Sequence, residues 1–182
     1  MKFGPVTAKD KLGRELILRN AQVSDAEALL TYLKVTSGET PYLIREPEEV
    51  NITLAQEEAF IKGMEEAERE LMLAAYVDGE HAGNCSLMSK GSFSRYRHRC
   101  EVAVALYRKF HGAGIGEIML QTVLDVAKKI GYEQAELEVV SGNEGAISLY
   151  KKLGFEQYGC LPHNMKYSDG KYADVYWMMK KL

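Results

Sequence analysis

Three glycines fall within five residues in the run His111-Gly112-Ala113-Gly114-Ile115-Gly116, after an alternating apolar segment and before an amphipathic one. Glycines at a strand-to-helix junction let the backbone take positive φ and come close to a ligand. The unpaired N–H groups at the start of the following helix then point into the loop, and with the helix dipole they favour a phosphate or diphosphate. Such an anion site needs no basic side chains, which suits a chain of formal net charge -3. The identity of the anion follows from the spacing. A dinucleotide fingerprint reads G-x-G-x-x-G after the first strand, whereas this run reads G-x-G-x-G after the fourth. A P-loop places Lys and then Ser or Thr after its last glycine, whereas Gly116 is followed by Glu117 and Ile118. Both nucleotide readings are disfavoured, and a purely structural tight turn is the competing explanation.

The elements that position this loop follow from hydrophobic period. Glu15–Arg19 reads as a strand, and Ser24 or Asp25 caps a helix with Ala26, Leu29, Leu30 and Leu33 on one face. Gly38 and Pro41 are expected to break that helix, leaving Thr36–Val50 as a loop. A second helix starts near Thr53. Strands follow at Glu70–Val77 and Ala82–Met88, joined by the Asp78-Gly79 turn, and at Arg99–Tyr107. A long helix runs over Ile115–Ile130 and stops at Gly131. Gln134–Val140 is a strand, Asn143–Leu153 a helix, and Phe155–Gly159 and Ala173–Lys180 close the chain as strands. The order β-α-α-β-β-β-α-β-α-β-β predicts a mixed α/β sheet with helices on its faces.

A chain of 182 residues suits one domain, 1–182, large enough to bury a core without disulfides or metal. Cys85, Cys100 and Cys160 are odd in number and widely spaced, so neither a disulfide framework nor a metal site is expected, and buried thiols are the simpler reading. The slight negative charge gives no pull toward nucleic acid. Met1–Gly13 is too polar for a signal peptide, and no apolar stretch reaches the roughly 18 residues of a membrane span. A cytoplasmic protein with no membrane partner is expected.

His111-x-x-Gly114-x-Gly116 resembles the diphosphate loop of the GNAT N-acetyltransferase superfamily, with His111 where Gln or Arg is usual. A second block is similar to that family too: Leu137-Glu138-Val139, then Asn143, Ala146, Leu149-Tyr150 and Lys152-Leu153-Gly154-Phe155. The resemblance is strongest from about Glu101 to Gly159. It implies an acyl-CoA N-acyltransferase fold: a mostly antiparallel sheet, helices on both faces, and one splayed parallel strand pair, here Arg99–Tyr107 and Gln134–Val140. It also implies acetyl-CoA as co-substrate. Backbone around Val104, Ala105 and Leu106 would hold the pantetheine arm as a substitute strand. The loop residues His111, Gly112, Ala113, Gly114, Ile115 and Gly116 would hold the diphosphate, with Asn143 on the arm and Lys152 near the phosphates.

The implied reaction is direct acetyl transfer to a primary amine, on a small molecule or at a peptide N-terminus. It requires a neutral amine, oxyanion stabilisation, and a proton for the departing thiolate. Tyr150 is the candidate acid, weighed against a plain helix-face aromatic. Glu101 is the candidate base or water-holder, weighed against an edge carboxylate paired with Arg97 or Arg99, with His98 and His163 as substitutes. A backbone N–H near Leu106 is the candidate oxyanion donor. Glu39, Tyr42, Tyr158 and Tyr172 are expected around the acceptor mouth. A non-catalytic acyl-CoA-binding regulatory module is the alternative of another class, and a homodimer is left open.

Overall fold

The alternation of Val102, Val104 and Leu106 with Glu101, Ala103 and Ala105 takes shape as β5, Arg99–Leu106, in a computed structural model that describes residues 1–182. The other strands are β1 (Val6–Lys9), β2 (Glu15–Asn20), β3 (Leu71–Val77), β4 (Glu80–Ser89), β6 (Gln134–Val140), β7 (Glu156–Lys166) and β8 (Tyr172–Lys181). The helices are α1 (Ala26–Glu39), α2 (Leu54–Glu66), α3 (Ile115–Lys129) and α4 (Glu144–Lys152). All eight strands form one open sheet in the order β1-β2-β3-β4-β5-β6-β8-β7. Only β5 and β6 run parallel; every other neighbouring pair is antiparallel.

Strand parity sends alternate residues of β3 to opposite faces. Leu71, Leu73, Ala75 and Val77 join Met119, Leu120, Val123, Leu124 and Ala127 of α3 in the larger core. Met72 packs instead on Ala26 and Leu29 of α1 and Ile61 of α2. Helices therefore cover both faces. Each large aliphatic side chain buried in this way contributes roughly 1.5–3 kcal/mol, so α3 is held mainly by its apolar stripe. No helix is long and apolar enough to cross a membrane.

The far end of β5 is fixed from two sides. β4 passes so close at Gly83 that a Cβ there would lie 2.3 Å from the Ala105 carbonyl oxygen. The Tyr32 hydroxyl of α1 donates to that same carbonyl at 2.9 Å. This matters because the other edge of β5 borders the candidate site.

Four details differ from the sequence reading. β1 is an additional strand, too short and polar to show a period; it exists by pairing with β2, and the Asp10 carboxylate shapes its turn by accepting the Leu12 and Arg14 N–H groups at 2.9 and 3.0 Å. α1 continues through Gly38 and ends at Thr40, whose extended backbone is the conformation that Pro41 imposes on its predecessor. β7 runs on through Gly159 and Pro162 to Lys166, since it is the terminal strand and bonds only β8, and an edge strand tolerates proline and bulges. Cys85 and Cys100 are buried, but Cys160, on β7, is exposed.

Candidate active site

β5 and β6 pair at Arg99–Gln134, Cys100–Ala135 and Glu101–Glu136 and then part. Past that point Val102–Leu106 have no partner on the β6 side, while β6 stays bonded to β8 up to Val140. The gap is a crevice of about 840 Å³. Val104, Ala105 and Leu106 form one wall, and Val139, Val140 and Asn143 the other. An unpaired strand edge leaves N–H and C=O groups to be satisfied by water or by a ligand.

The glycine loop closes one end of this crevice. His111, Gly112, Gly114 and Gly116 line it, whereas Ala113 and Ile115 turn their side chains into the core, at 3% and 0% exposure. Those two residues can offer only main chain. Gly114 is the N-cap of α3 with φ 78°, a left-handed conformation that lets the first turn present free N–H groups. The His111 imidazole lies 3.1 Å from the Leu106 carbonyl oxygen, tying the loop to the end of β5.

The structure adds a residue that sequence reasoning missed. Lys11, in the β1–β2 turn, donates its N–H to the Ala113 carbonyl at 2.9 Å, and its stem lies across Gly114. A Cβ on Gly114 would meet Lys11 Cε at 2.8 Å. Lys11 Nζ and Lys152 Nζ stand 3.6 and 2.6 Å from the two carboxylate oxygens of Glu117, in the first turn of α3. The Lys152 hydrogen bond, helped by Lys11, holds the Glu117 carboxyl below its ordinary pKa. Two lysines thus converge beside the loop, held by one carboxylate. The turn signal Asp10…Gly13 was visible in the sequence; its docking on a loop so far along the chain was not.

Tyr150 of α4 lines the crevice and is 6% exposed, with its ring 5.9 Å from that of Phe155. Burial, reinforced by the nearby Cys85 thiol, pushes its pKa up to about 12. Asn143 caps α4, its side-chain oxygen accepting the Ala146 N–H at 3.3 Å, and it lines the crevice as well. Lys152 reaches the same crevice from the last turn of α4.

Glu101 opens elsewhere, into an adjoining cleft of about 240 Å³. Its carboxylate accepts from Lys90 at 2.8 Å, not from Arg97 or Arg99. Arg99 instead makes a two-pronged pair with Glu136. Burial alone would raise the Glu136 carboxyl, but Arg99 and the Gln134 amide together hold it below its ordinary pKa. Glu138 lines both the crevice and the smaller cleft, and so marks where they meet. The Trp177 indole N–H donates to Glu138 at 3.1 Å, and Tyr158 stacks on Trp177 with centroids 6.2 Å apart. The sequence reading used Glu138 only as part of a block; that it joins two clefts depends on where the strands part.

The residues expected around an acceptor mouth do not gather in one place. Tyr158 lines the smaller cleft, while Glu39 and Tyr42 line the large one. Glu39 accepts the Arg108 backbone N–H at 2.7 Å, and the Tyr42 hydroxyl donates to the Gly142 carbonyl at 2.9 Å. Both therefore strap the end of α1 and its following loop across the crevice. Tyr172 stacks on His163, with centroids 4.9 Å apart, and neither His163 nor His98 lines either cleft.

Comparison with known proteins agrees with this geometry. The model of the Acetyltransferase (GNAT) family matches residues 36–155. An N-alpha-acetyltransferase of Sulfurisphaera tokodaii is 29% identical, over 96% of this chain and 98% of that protein. An L-methionine sulfoximine/L-methionine sulfone acetyltransferase of Pseudomonas paraeruginosa is 26% identical, over 91% of this chain and 94% of that one. Among solved structures, an acetyltransferase of the GNAT family from Streptococcus pneumoniae superposes with a TM-score of 0.87 at 26% identity, covering 92% of this chain and 99% of that one. With a splayed parallel pair, a glycine loop opening α3, and a family match over most of its length, the chain belongs to the GNAT family of acetyltransferases.

Proposed function

We propose that the protein transfers an acetyl group from acetyl-CoA directly to a primary amine. One observation carries this reading: the unpaired edge Val102–Leu106 runs straight into a glycine loop that opens a helix. A long amide-bearing chain ending in a diphosphate matches that combination, since the strand edge takes amides and the helix start takes phosphates. Val104 and Leu106 hold the arm through main chain, and Asn143 faces it from the other wall. Ala105 turns its carbonyl away from the crevice to Tyr32 and lines the wall only between them. The N–H groups from Gly112 to Gly116 hold the diphosphate, with Lys11 and Lys152 released from Glu117 to face it. When bound, the donor supplies the thioester carbonyl. The Leu106 N–H stabilises developing negative charge, the Tyr150 hydroxyl donates toward the sulfur, and Glu138 takes the amine proton. Glu101, bonded to Lys90, lines the smaller cleft and holds water there. Relatives named for an N-alpha-amine and for an amino-acid analogue support an amine acceptor of either kind.

Calorimetry against acetyl-CoA, ATP and NAD, followed by thiol release with an amine panel, tests the reading. Acetyl-CoA alone is expected to bind tightly, and thiol release is expected to depend on acceptor. A clear preference for either nucleotide ends the proposal, and binding without release with any amine leaves a regulatory module.

The loop makes its own predictions. Gly114→Ala forces a side chain into a left-handed conformation, at roughly 1–2 kcal/mol, and displaces Lys11. The acetyl-CoA Kd should rise about tenfold, because 1.4 kcal/mol is one decade. A Cβ on Gly116 would meet only Leu106 and Leu149 methyls, at 3.6 and 3.7 Å, so Gly116→Ala should bind within about a factor of two or three of wild type. Equal losses in the two variants would mean the loop does not work through Gly114. Lys11→Met keeps the stem over Gly114 and removes the charge. Exposed charge pairs are worth about 0.2–1 kcal/mol, so the Kd should rise only about threefold, and more at low salt. A Kd independent of salt in both proteins would remove Lys11 from the site.

A further inference from the structure

The smaller cleft has a charge pattern that bears on which amine can enter. It is lined by two cations, Lys90 and Arg99, and three carboxylates, Glu101, Glu136 and Glu138, with Tyr158 and Trp177 as an aromatic wall. Each cation is already committed. Lys90 is bonded to Glu101 at 2.8 Å, and Arg99 holds both oxygens of Glu136, one of them at 2.8 Å. The carboxylate left without a cation is Glu138, whose partner is the neutral Trp177 N–H. This leftover negative charge lies where the cleft meets the crevice.

An acceptor ammonium is drawn to such a place, since the one unpaired charge is opposite to its own. A free amino acid brings a carboxylate close beside its amine. That carboxylate would find no free cation here and would have to displace Glu101 from Lys90 or Glu136 from Arg99, leaving another carboxylate unpaired in a partly buried cleft. A peptide N-terminus brings a neutral amide at the same position, which the cleft can accept without breaking either pair.

We propose, resting on the acetyl-transfer reading above, that the acceptor is an α-amine followed by a neutral amide, as at a peptide N-terminus, and that free amino acids are excluded by the paired state of Lys90 and Arg99. The specificity lies in pairing: Glu101 keeps Lys90 unavailable to an acceptor carboxylate.

The test compares methionine, methionine amide and a Met-Ala-Ala tripeptide by thiol release across pH, with kcat/KM taken at the plateau of each profile so that the difference in amine basicity is separated from recognition. The wild type should favour both the amide and the tripeptide over the free amino acid by at least about tenfold in kcat/KM, the effect of one uncompensated charge contact. Glu101→Gln frees Lys90. Whatever it does to the absolute rate, the ratio of amide to amino acid should fall severalfold, and raising salt should shrink the wild-type ratio. Equal use of methionine and its amide by the wild type, or a ratio unchanged in Glu101→Gln, overturns the inference while leaving acetyl transfer standing. An amide used tenfold better than the tripeptide also overturns it, because the cleft would then admit a small amide and not a peptide. No thiol release with any acceptor overturns the transfer reading itself, and this inference with it.

Discussion

Tyr150→Phe is expected to lower kcat by about 10²–10³-fold, the usual range for loss of one positioned acid or charge-stabilising donor, while the acetyl-CoA Kd stays within about twofold. The substitution keeps the ring and its packing on Phe155 and removes one hydroxyl. The stability change should therefore be small, within a few degrees in Tm. With a pKa pushed up to about 12, the hydroxyl holds its proton through any ordinary assay range. It should contribute no limb to the pH profile, and the profile of Tyr150→Phe should keep the wild-type shape at lower height. The same value refines its role. An ordinary thiol has a pKa near 8.5, so a phenol this weakly acidic serves mainly by hydrogen bonding to the developing thiolate. Stopped-assay thiol release across pH, beside calorimetry with acetyl-CoA, reads all three quantities. Equal turnover in the two proteins would return Tyr150 to plain packing.

What the sequence displayed depended on how local each feature is. The strand-to-helix run Arg99–Ile130 was legible because period, glycines and helix stop all lie within one window. The sheet's last strands were harder: β7 has no clean alternation and carries Pro162, and only its position at the sheet edge explains its length. Lys11 could not be found from spacing, since its link to Ala113 and Gly114 joins segments far apart in the sequence. The acceptor side shows the sharpest gap. Parity placed Glu101 on a face with small neighbours, but not that Lys90 neutralises it or that Glu138 bridges two clefts. Side-chain pairing is settled by strand register, and the β5–β6 register breaks after Glu101–Glu136.

Glu138→Gln should cost the reaction about 10²-fold in kcat/KM, the low end of the range for a general base, and Glu101→Gln about tenfold or less. The difference comes from charge pairing. An α-ammonium at a peptide N-terminus, with a pKa of about 7.7–8.0, must lose a proton before it can attack. Of the three carboxylates in the smaller cleft, Glu101 is bound to Lys90 and Glu136 to Arg99, so at each of them an incoming ammonium meets a cation already seated. Glu138 has only a neutral donor, the Trp177 N–H, and stands at the junction where donor and acceptor would meet. A glutamine at 138 still accepts from Trp177 through its amide oxygen, so the local packing survives. Without the base, the rate depends on the fraction of acceptor that is already neutral. The kcat/KM of Glu138→Gln should then keep rising with pH toward the acceptor's own pKa, and the deficit against wild type should narrow in alkali. A larger loss in Glu101→Gln than in Glu138→Gln would move the proton acceptor to Glu101. A deficit constant at every pH would mean that Glu138 orients the amine and does not take its proton.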